Sequence, residues 1–142
     1  MSKYASSRVV RLVLVCLLSA VVMTPGCAID AVILALNGTY NLSVTSAASG
    51  SLLPVGTTGP VIIANGLLTS WLGLATTNPQ NPTTNGTQIT WKATIADPSN
   101  PFISTEVTLT VINQGGGTLS GEAFFTILGV ATPASQVTLQ LQ

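Results

Sequence analysis

The sequence contains no histidine and very little charge. Its 142 residues include four basic and four acidic side chains, 6% of the total, against about a quarter in an ordinary soluble domain. Histidine is the commonest general base and the commonest metal ligand, so its absence excludes Ser-His-Asp and Cys-His catalysis. Binding to phosphate backbones needs clustered Lys and Arg, so nucleic acid is excluded as a partner. We therefore predict no enzymatic activity, no metal site and no cofactor.

The few basic residues are concentrated at the N-terminus. Lys3, Arg8 and Arg11 precede an apolar run from Leu12 to Met23, and small residues follow it up to Cys27. Twelve residues are too few for a membrane-spanning helix, which needs about 20. A basic start, a short apolar run and small residues at its end predict an export signal.

Cysteine is also scarce, and this makes Cys27 informative. Cys16 lies inside the leader, so Cys27 is the only cysteine that remains after processing and no intramolecular disulfide can form. Gly26 followed by Cys27 just past an apolar run resembles the signal of bacterial lipoproteins. The resemblance implies cleavage before Cys27, acylation of its thiol and a membrane-anchored protein of the cell envelope. Two alternatives remain open: a periplasmic or secreted protein cleaved after Ala28, and a retained anchor.

Composition changes after the leader, which gives the predicted domain organisation. We assign 1–26 to the signal peptide, 27–36 to a lipid-anchored tether or short helix, and 37–142 to a single β domain. Only Lys92 then remains against four acids, a net charge of −3 (one minus four). Any contact with a membrane must therefore come from acyl chains or apolar surface, because there is no basic cluster to attract anionic lipid.

The C-terminal half shows the period of two that is typical of half-buried strands. Buried faces are predicted from four alternating sets: Ile89, Trp91, Ala93 and Ile95; Val107, Leu109 and Val111; Leu119, Ala123, Phe125 and Ile127; Val137, Leu139 and Leu141. Phe124 and Leu128 predict a strand end covered on both faces. Glu106, Thr108 and Glu122 fall on the opposite, solvated faces. Turns are predicted at 97–101, 114–117 and 132–135, and such short connections favour an antiparallel meander.

The N-terminal half is less regular. Alternation through Tyr40, Leu42 and Val44 predicts a first strand over 38–44. Residues 61–75 are apolar without a clear period, so they form either two strands broken at Asn65-Gly66 or a strand followed by a helix from Ser70. Residues 78–86 are predicted to form a loop.

Two short patterns resemble known β families. Gly38-Thr39-Tyr40 after a short apolar segment resembles the start of lipocalin-type barrels, with Tyr40 in place of the usual Trp and no Arg to pack across it. The segments 111–113 and 117–119 resemble a hairpin of bacterial Ig-like sandwiches. The predicted fold is therefore all-β, an antiparallel meander that forms a small barrel or a two-sheet sandwich.

The aromatic residues suggest where a partner could bind. Trp91 shares a face with apolar neighbours, which favours the core. Trp71, with Leu68 and Leu72, lies in the irregular apolar stretch, where it is either enclosed or exposed as a contact for a partner, a ligand or a second copy of the chain. We expect a non-enzymatic envelope lipoprotein that acts as a binding or structural module. The alternatives are a carrier of an apolar small molecule in a lipocalin-like barrel and a secreted soluble domain.

The processing hypothesis can be tested directly. Cys27→Ser should abolish acylation and release the protein from membranes or block its maturation, because it removes the thiol that would carry the lipid. Intact mass of the processed protein measures cleavage site and acylation together. An unmodified chain that begins at Ile29 would exclude the lipid anchor and favour simple secretion.

Overall fold

The structure is a computed structural model that describes residues 31–97 and 100–142. The predicted signal peptide, the acylation at Cys27 and the centre of the predicted 97–101 turn lie outside these residues. The compact unit that contains the strands spans Ile33–Gln142, slightly longer than the predicted domain from residue 37. No helix in the described part of the chain is long and apolar enough to span a membrane.

The described chain is almost entirely β-strand. One helical turn at 31–34 precedes the strands. The strands are β1 (Gly38–Ala47), β2 (Thr58–Ala64), β3 (Leu67–Trp71), β4 (Leu74–Thr77), β5 (Thr83–Asn85), β6 (Gln88–Asp97), β7 (Asn100–Gly115), β8 (Thr118–Ile127), β9 (Val130–Ala131) and β10 (Ser135–Leu141).

Eight strands close into an antiparallel barrel in the order β1-β2-β3-β4-β6-β7-β8-β10. Closure comes from β10, which pairs with β1 on one side and with β8 on the other. The two short strands are additions: β5 pairs with β6, and β9 pairs with β8. The predicted antiparallel meander and the barrel alternative are thus confirmed, and the two-sheet sandwich is wrong because a single sheet closes on itself.

Pairing is uneven around the barrel. The register between β6 and β7 is continuous from Gln88 to Ala96, whereas β4 meets β6 only at Thr76–Ile95 and Thr77–Thr94. At Gly121 on β8 the neighbouring strand comes very close, because a Cβ there would collide with the carbonyl oxygen of Thr110 on β7. Glycine at this position therefore permits the two strands to bend together.

The alternation read from the sequence corresponds to the barrel interior. The side chains of Trp91, Leu109, Leu139 and Ala123 are fully buried, and most of the alternate positions on the same strands are buried as well. Ile95 and Ile127, which were also expected inside, are only half-buried. An eight-stranded barrel has an interior just wide enough for side chains to fill. Large apolar residues from every barrel strand except β4 fill it: Tyr40, Leu42, Val61, Ile63, Leu68, Trp71, Trp91, Leu109, Leu119, Phe125 and Leu139 are among them.

Several local predictions need correction or completion. The 61–75 stretch forms two strands broken at Asn65-Gly66, then turns again at Leu72-Gly73, so no helix starts at Ser70. The predicted loop 78–86 contains β5. Thr108 was expected on a solvated face but is buried. Leu141 was expected inside but is partly exposed, because it ends the last strand.

The prediction that Phe124 and Leu128 lie on a second covered face of β8 is wrong for Leu128, whereas Phe124 is half-buried. Leu128 lies in the turn after β8, with a positive φ of 50°, and its side chain is 85% exposed. The chain reverses direction at Leu128-Gly129, so the side chain of Leu128 lies in the turn and is not covered by the barrel. The apolar pattern of β8 therefore continues one residue beyond the strand.

One end of the barrel is closed by the segment that precedes β1. Ile33 and Leu36 are buried members of the core, and the hydroxyl of Tyr40 donates to the carbonyl of Leu36 at 2.8 Å. Burial raises the pKa of Tyr40 above its usual value near 10. The folded state therefore favours the protonated phenol of Tyr40. Its contribution to stability is fully present below the pKa of Tyr40 in the unfolded chain and is lost as the pH rises through its pKa in the folded protein. We call this the closed end.

Trp91 links the closed end to the interior. Its Nε1 donates to the buried carbonyl of Gly66 at 2.9 Å, and Gly66 N in turn donates to Asn37 Oδ1 at 2.9 Å. The indole therefore contributes a large buried area and also pairs a backbone carbonyl that would otherwise be unsatisfied.

We expect Trp91→Ala to lower the free energy of unfolding by about 3–5 kcal/mol, because it leaves a cavity. Thr90→Ala, on the outer face, should cost no more than about 1 kcal/mol, the usual value of one hydrogen bond, here to Thr110 at 3.0 Å. Chemical denaturation of residues 33–142 measures both. Equal losses at positions 90 and 91 would contradict the assigned faces.

Candidate functional site

The opposite end of the barrel carries the connections β1–β2, β3–β4, β6–β7 and β8–β10. We call it the loop end. Leu53 of the β1–β2 loop belongs to the core at this end, but the last inward-facing positions of β6, β7 and β8 are only half-buried. In register, Ile95 on β6 pairs with Thr105 on β7, and Thr105 pairs with Ile127 on β8. These three side chains form part of the wall of an apolar depression.

The depression, which we call the mouth cup, has a volume of about 250 Å³. Only Thr105 contributes a polar side-chain atom to its wall. The lining residues are Leu52, Leu74, Ile95, Ala96, Thr105, Phe125 and Ile127. Small-molecule sites usually measure about 300–1,000 Å³ and are mostly apolar. The mouth cup is therefore large enough for one apolar group, such as a ring or part of a chain.

A short hydrogen-bond network fixes the β1–β2 loop over the cup. Ser135 Oγ donates to the carbonyl of Leu53 at 2.7 Å, and the hydroxyls of Ser51 and Ser135 lie 2.6 Å apart. Leu53 N donates to Ser51 Oγ at 3.1 Å. Ser135 and Leu53 are buried, whereas Leu52, which precedes Leu53 in the chain, is exposed and lines the cup. Buried polar contacts of this kind hold an exposed side chain in one place.

Phe125 separates the cup from the deeper core. Its ring packs edge-on against Trp71, with centroids 6.3 Å apart and an interplanar angle of 90°. Trp71 itself is buried, and its Nε1 has no hydrogen-bond partner among the described residues. A buried N–H without a partner costs about 1–3 kcal/mol, so such groups are uncommon.

The three predicted contact residues occupy different depths. Trp71 and Leu68 are enclosed in the core, so the enclosed alternative applies to them and neither offers surface to a partner. Leu72 is half-buried in the Leu72-Gly73 turn, where both residues have positive φ. Its side chain packs over Gly59: a Cβ there would lie 3.0 Å from Leu72 Cδ2. Trp71 and Leu72 thus lie near the loop end, whereas Leu68 pairs with Ile63 close to the closed end, and the three form no exposed patch.

The most exposed large apolar residues of the described chain lie around this end. Phe102, at the start of β7, is 96% exposed, and Leu128 and Val130, flanking the Gly129 turn, are 85% and 70% exposed. We call these three residues the rim. Their two turns are neighbours, since β7 pairs with β8 and Leu128 shares a surface depression with Ser104. Phe102 and Val130 were not identified from the sequence, and Leu128 was expected to be covered. The signal in the sequence was that these apolar residues lie within turn segments rich in Gly and Pro.

Charged groups form no catalytic arrangement in the described residues. Lys92 Nζ and Glu106 Oε1 are 3.7 Å apart, and both side chains are partly exposed on the outer face. Gln80 Nε2 also donates to Glu106 at 3.3 Å. Glu122 is exposed, as expected. No group of three or more His, Cys, Asp or Glu that could hold a metal ion occurs in the part of the chain that is described.

A larger groove of about 370 Å³ lies on the outer wall over Gly121. Hydroxyl and amide side chains line it, among them Thr45, Gln88 and Gln136, with Glu122 as its single carboxylate. The close approach of β7 and β8 at Gly121 explains the depression in the wall. The groove is lined mainly by polar side chains and lacks an aromatic side chain, so it offers no stacking surface to a ligand.

No protein-family model matches the chain, and the comparisons with curated proteins and with solved structures gave no match. The residues and their geometry are therefore the basis for any functional conclusion.

The two tryptophans provide a matched test of the unpaired Nε1. Trp91→Phe and Trp71→Phe remove similar volumes, but only the first breaks a hydrogen bond and leaves the Gly66 carbonyl buried without a partner. We expect Trp91→Phe to cost about 1–3 kcal/mol more than Trp71→Phe in the free energy of unfolding. Urea denaturation of both variants measures the difference. Equal losses would contradict the assignment of Trp71 Nε1 as unpaired.

Proposed function

We propose that this protein is an exported, non-enzymatic binding module, anchored in the cell envelope by lipid on Cys27, that binds an apolar group in the mouth cup. The observation that carries the proposal is the coincidence of an apolar depression and exposed apolar side chains at one end of the barrel. Exposed apolar surface on a folded domain usually marks an interaction site. The closed end also has exposed apolar side chains, Val32, Leu34 and Leu141, but they are less exposed than those of the rim.

The anchor is supported by the sequence alone. Gly26-Cys27 follows an apolar run of export-signal length, and Cys27 is the only cysteine after it. A lipid on this residue accounts for a lone cysteine in an exported chain. It also accounts for membrane attachment in a chain whose single basic residue after the leader is Lys92.

The filled interior favours binding at the end of the barrel over enclosure inside it. Leu42, Leu109 and Leu139 have no exposed surface, and both tryptophans are buried among them. A carrier that encloses its ligand would need this packing to open. Displacing close-packed side chains is costly, because interiors have almost no spare volume. The mouth cup already exists and needs no such rearrangement.

A carrier of an apolar small molecule remains the second candidate, and one observation favours it. Phe125 lines the cup and packs directly on Trp71, whose Nε1 is unpaired among the described residues. Rotation of the Phe125 ring would extend the cup to that N–H, which could then donate to a polar atom of the ligand. Loss of ligand affinity in Trp71→Phe, with folding retained, would favour this deeper site.

Binding at the cup can be measured with the uncharged fluorescent probe N-phenyl-1-naphthylamine and residues 33–142. Leu52→Ser and Leu74→Ser should each weaken probe binding about tenfold, since full burial of a leucine side chain contributes about 1.5–3 kcal/mol. Leu141→Ser is the matched control: its exposure of 43% resembles the 38% of Leu74, but it lies at the closed end. No probe binding, or equal weakening by all three changes, would exclude the cup as the site.

A further inference from the structure

The segment that closes the barrel is more apolar than its packing requires. All six residues of 31–36 are apolar, but only Ile33 and Leu36 are buried in the core. The side chains of Val32 and Leu34 are each 52% exposed. The outward face of a helical turn on a soluble domain is normally polar. An apolar outward face therefore indicates that the surroundings of this segment are apolar.

A second exposed leucine lies at the same end on a different element. Leu141 ends β10, pairs with Tyr40 and is 43% exposed, and its side chain packs over Gly38. Leu34 packs over the turn between β2 and β3, since a Cβ on Gly66 would lie 3.9 Å from Leu34 Cδ2. We call Leu34 and Leu141 the base. The base is thus built by two segments that are distant in the sequence.

Little at the closed end opposes contact with lipid. Its described connections, at 31–37, 65–66, 86–87 and 116–117, contain no Lys, Arg, Asp or Glu. Several backbone N–H groups donate to backbone carbonyls there, namely those of Leu36, Asn37, Leu141 and Gln142. Polar backbone groups that already have partners approach an apolar phase at lower cost than free ones.

The predicted anchor lies close to this end along the chain. Cys27 precedes Ile33 by six residues (33 minus 27), which span at most about 20–22 Å when fully extended. β6 has 10 residues, so the barrel measures about 25 Å along its axis at the usual strand tilt. A bilayer that holds Cys27 would therefore be within reach of the base, whereas the loop end, on the far side of the barrel, would not meet it.

We propose that the base rests on the bilayer that holds Cys27, with Leu34 and Leu141 at the boundary between headgroups and acyl chains, so that the mouth cup points away from this membrane. The inference rests on the proposed lipid anchor. The anchor supplies the attachment, because a single acyl chain binds only marginally and two half-exposed leucines bury less apolar surface than that. The base alone therefore does not hold the protein on lipid; it determines which side of the barrel faces it.

Charge does not contribute to this orientation. Asp30 is the only charged residue between Cys27 and Tyr40 in the sequence, so anionic headgroups do not attract this end. The orientation should change little with anionic lipid or with salt. Because the cup lies at the opposite end, its ligand reaches it from the aqueous side and not out of the bilayer that holds the anchor.

Tryptophan quenching measures which end meets the lipid. The acylated full-length protein would be reconstituted in phosphatidylcholine vesicles whose acyl chains carry bromine, a quencher of tryptophan. Leu34→Trp and Leu141→Trp each place an indole on the base, and the buried Trp71 and Trp91 give a constant background. We expect a blue shift and loss of emission for both variants, unchanged by phosphatidylglycerol or by added salt.

Phe102→Trp is the control, because Phe102 is 96% exposed at the loop end. It should keep the emission of a solvated indole. Equal quenching at positions 34 and 102 would overturn the proposal, since the barrel would then lie on its wall. Quenching at position 102 alone, at only one base position or at none would also overturn it. A blue shift at the base without quenching would do the same and would indicate contact with protein instead of lipid.

Intact mass and the probe assay separate this inference from the proposed function. If Cys27 carries lipid and the base is not quenched, the orientation is wrong and the anchored module stands. If the mass shows no lipid, the anchor fails and the orientation fails with it. If Leu74→Ser leaves probe binding unchanged, the cup is wrong as the site, whatever the vesicles show.

Discussion

The pairing of β10 with both β1 and β8 is the constraint on which the rest of the structure depends. It joins the two ends of the meander, so the sheet has no long free edge that could pair with another chain. Closure at eight strands also fixes the diameter of the interior. Two tryptophans and branched aliphatic side chains are buried in that interior.

A filled barrel leaves only its wall and its ends for binding. The wall is built from Thr, Ser, Gln and Asn with few charges, and the closed end is occupied by Ile33, Leu36 and the Tyr40 hydrogen bond. At the loop end the inward-facing apolar positions continue one layer beyond the packed core, which creates the mouth cup. The same end carries the rim. The proposed binding of an apolar partner at this end would thus be a consequence of how the barrel is filled.

The sequence predicted the regular strands well, because one buried face produces strict alternation. Ile89, Trp91 and Ala93 are buried as expected, and the turn at 114–117 lies where three glycines allow positive φ. It predicted less where burial does not alternate from one residue to the next. Trp71 and Leu68 belong to a short strand with a bulge in its pairing to β2, so their period was lost. The loop end could not be predicted from the sequence, because its residues come together only when the barrel closes.

Amide chemical-shift mapping tests the central claim, that the loop end is the binding surface, most directly. Residues 33–142 would be titrated with dihexanoyl phosphatidylcholine below its micelle concentration, which offers short apolar chains and a neutral headgroup. The account predicts that the largest shifts fall on the loop end, around Leu52, Leu74, Phe102 and Leu128. Shifts centred on the Gly121 groove or on the closed end around Gly66, or no shifts at all, would contradict it.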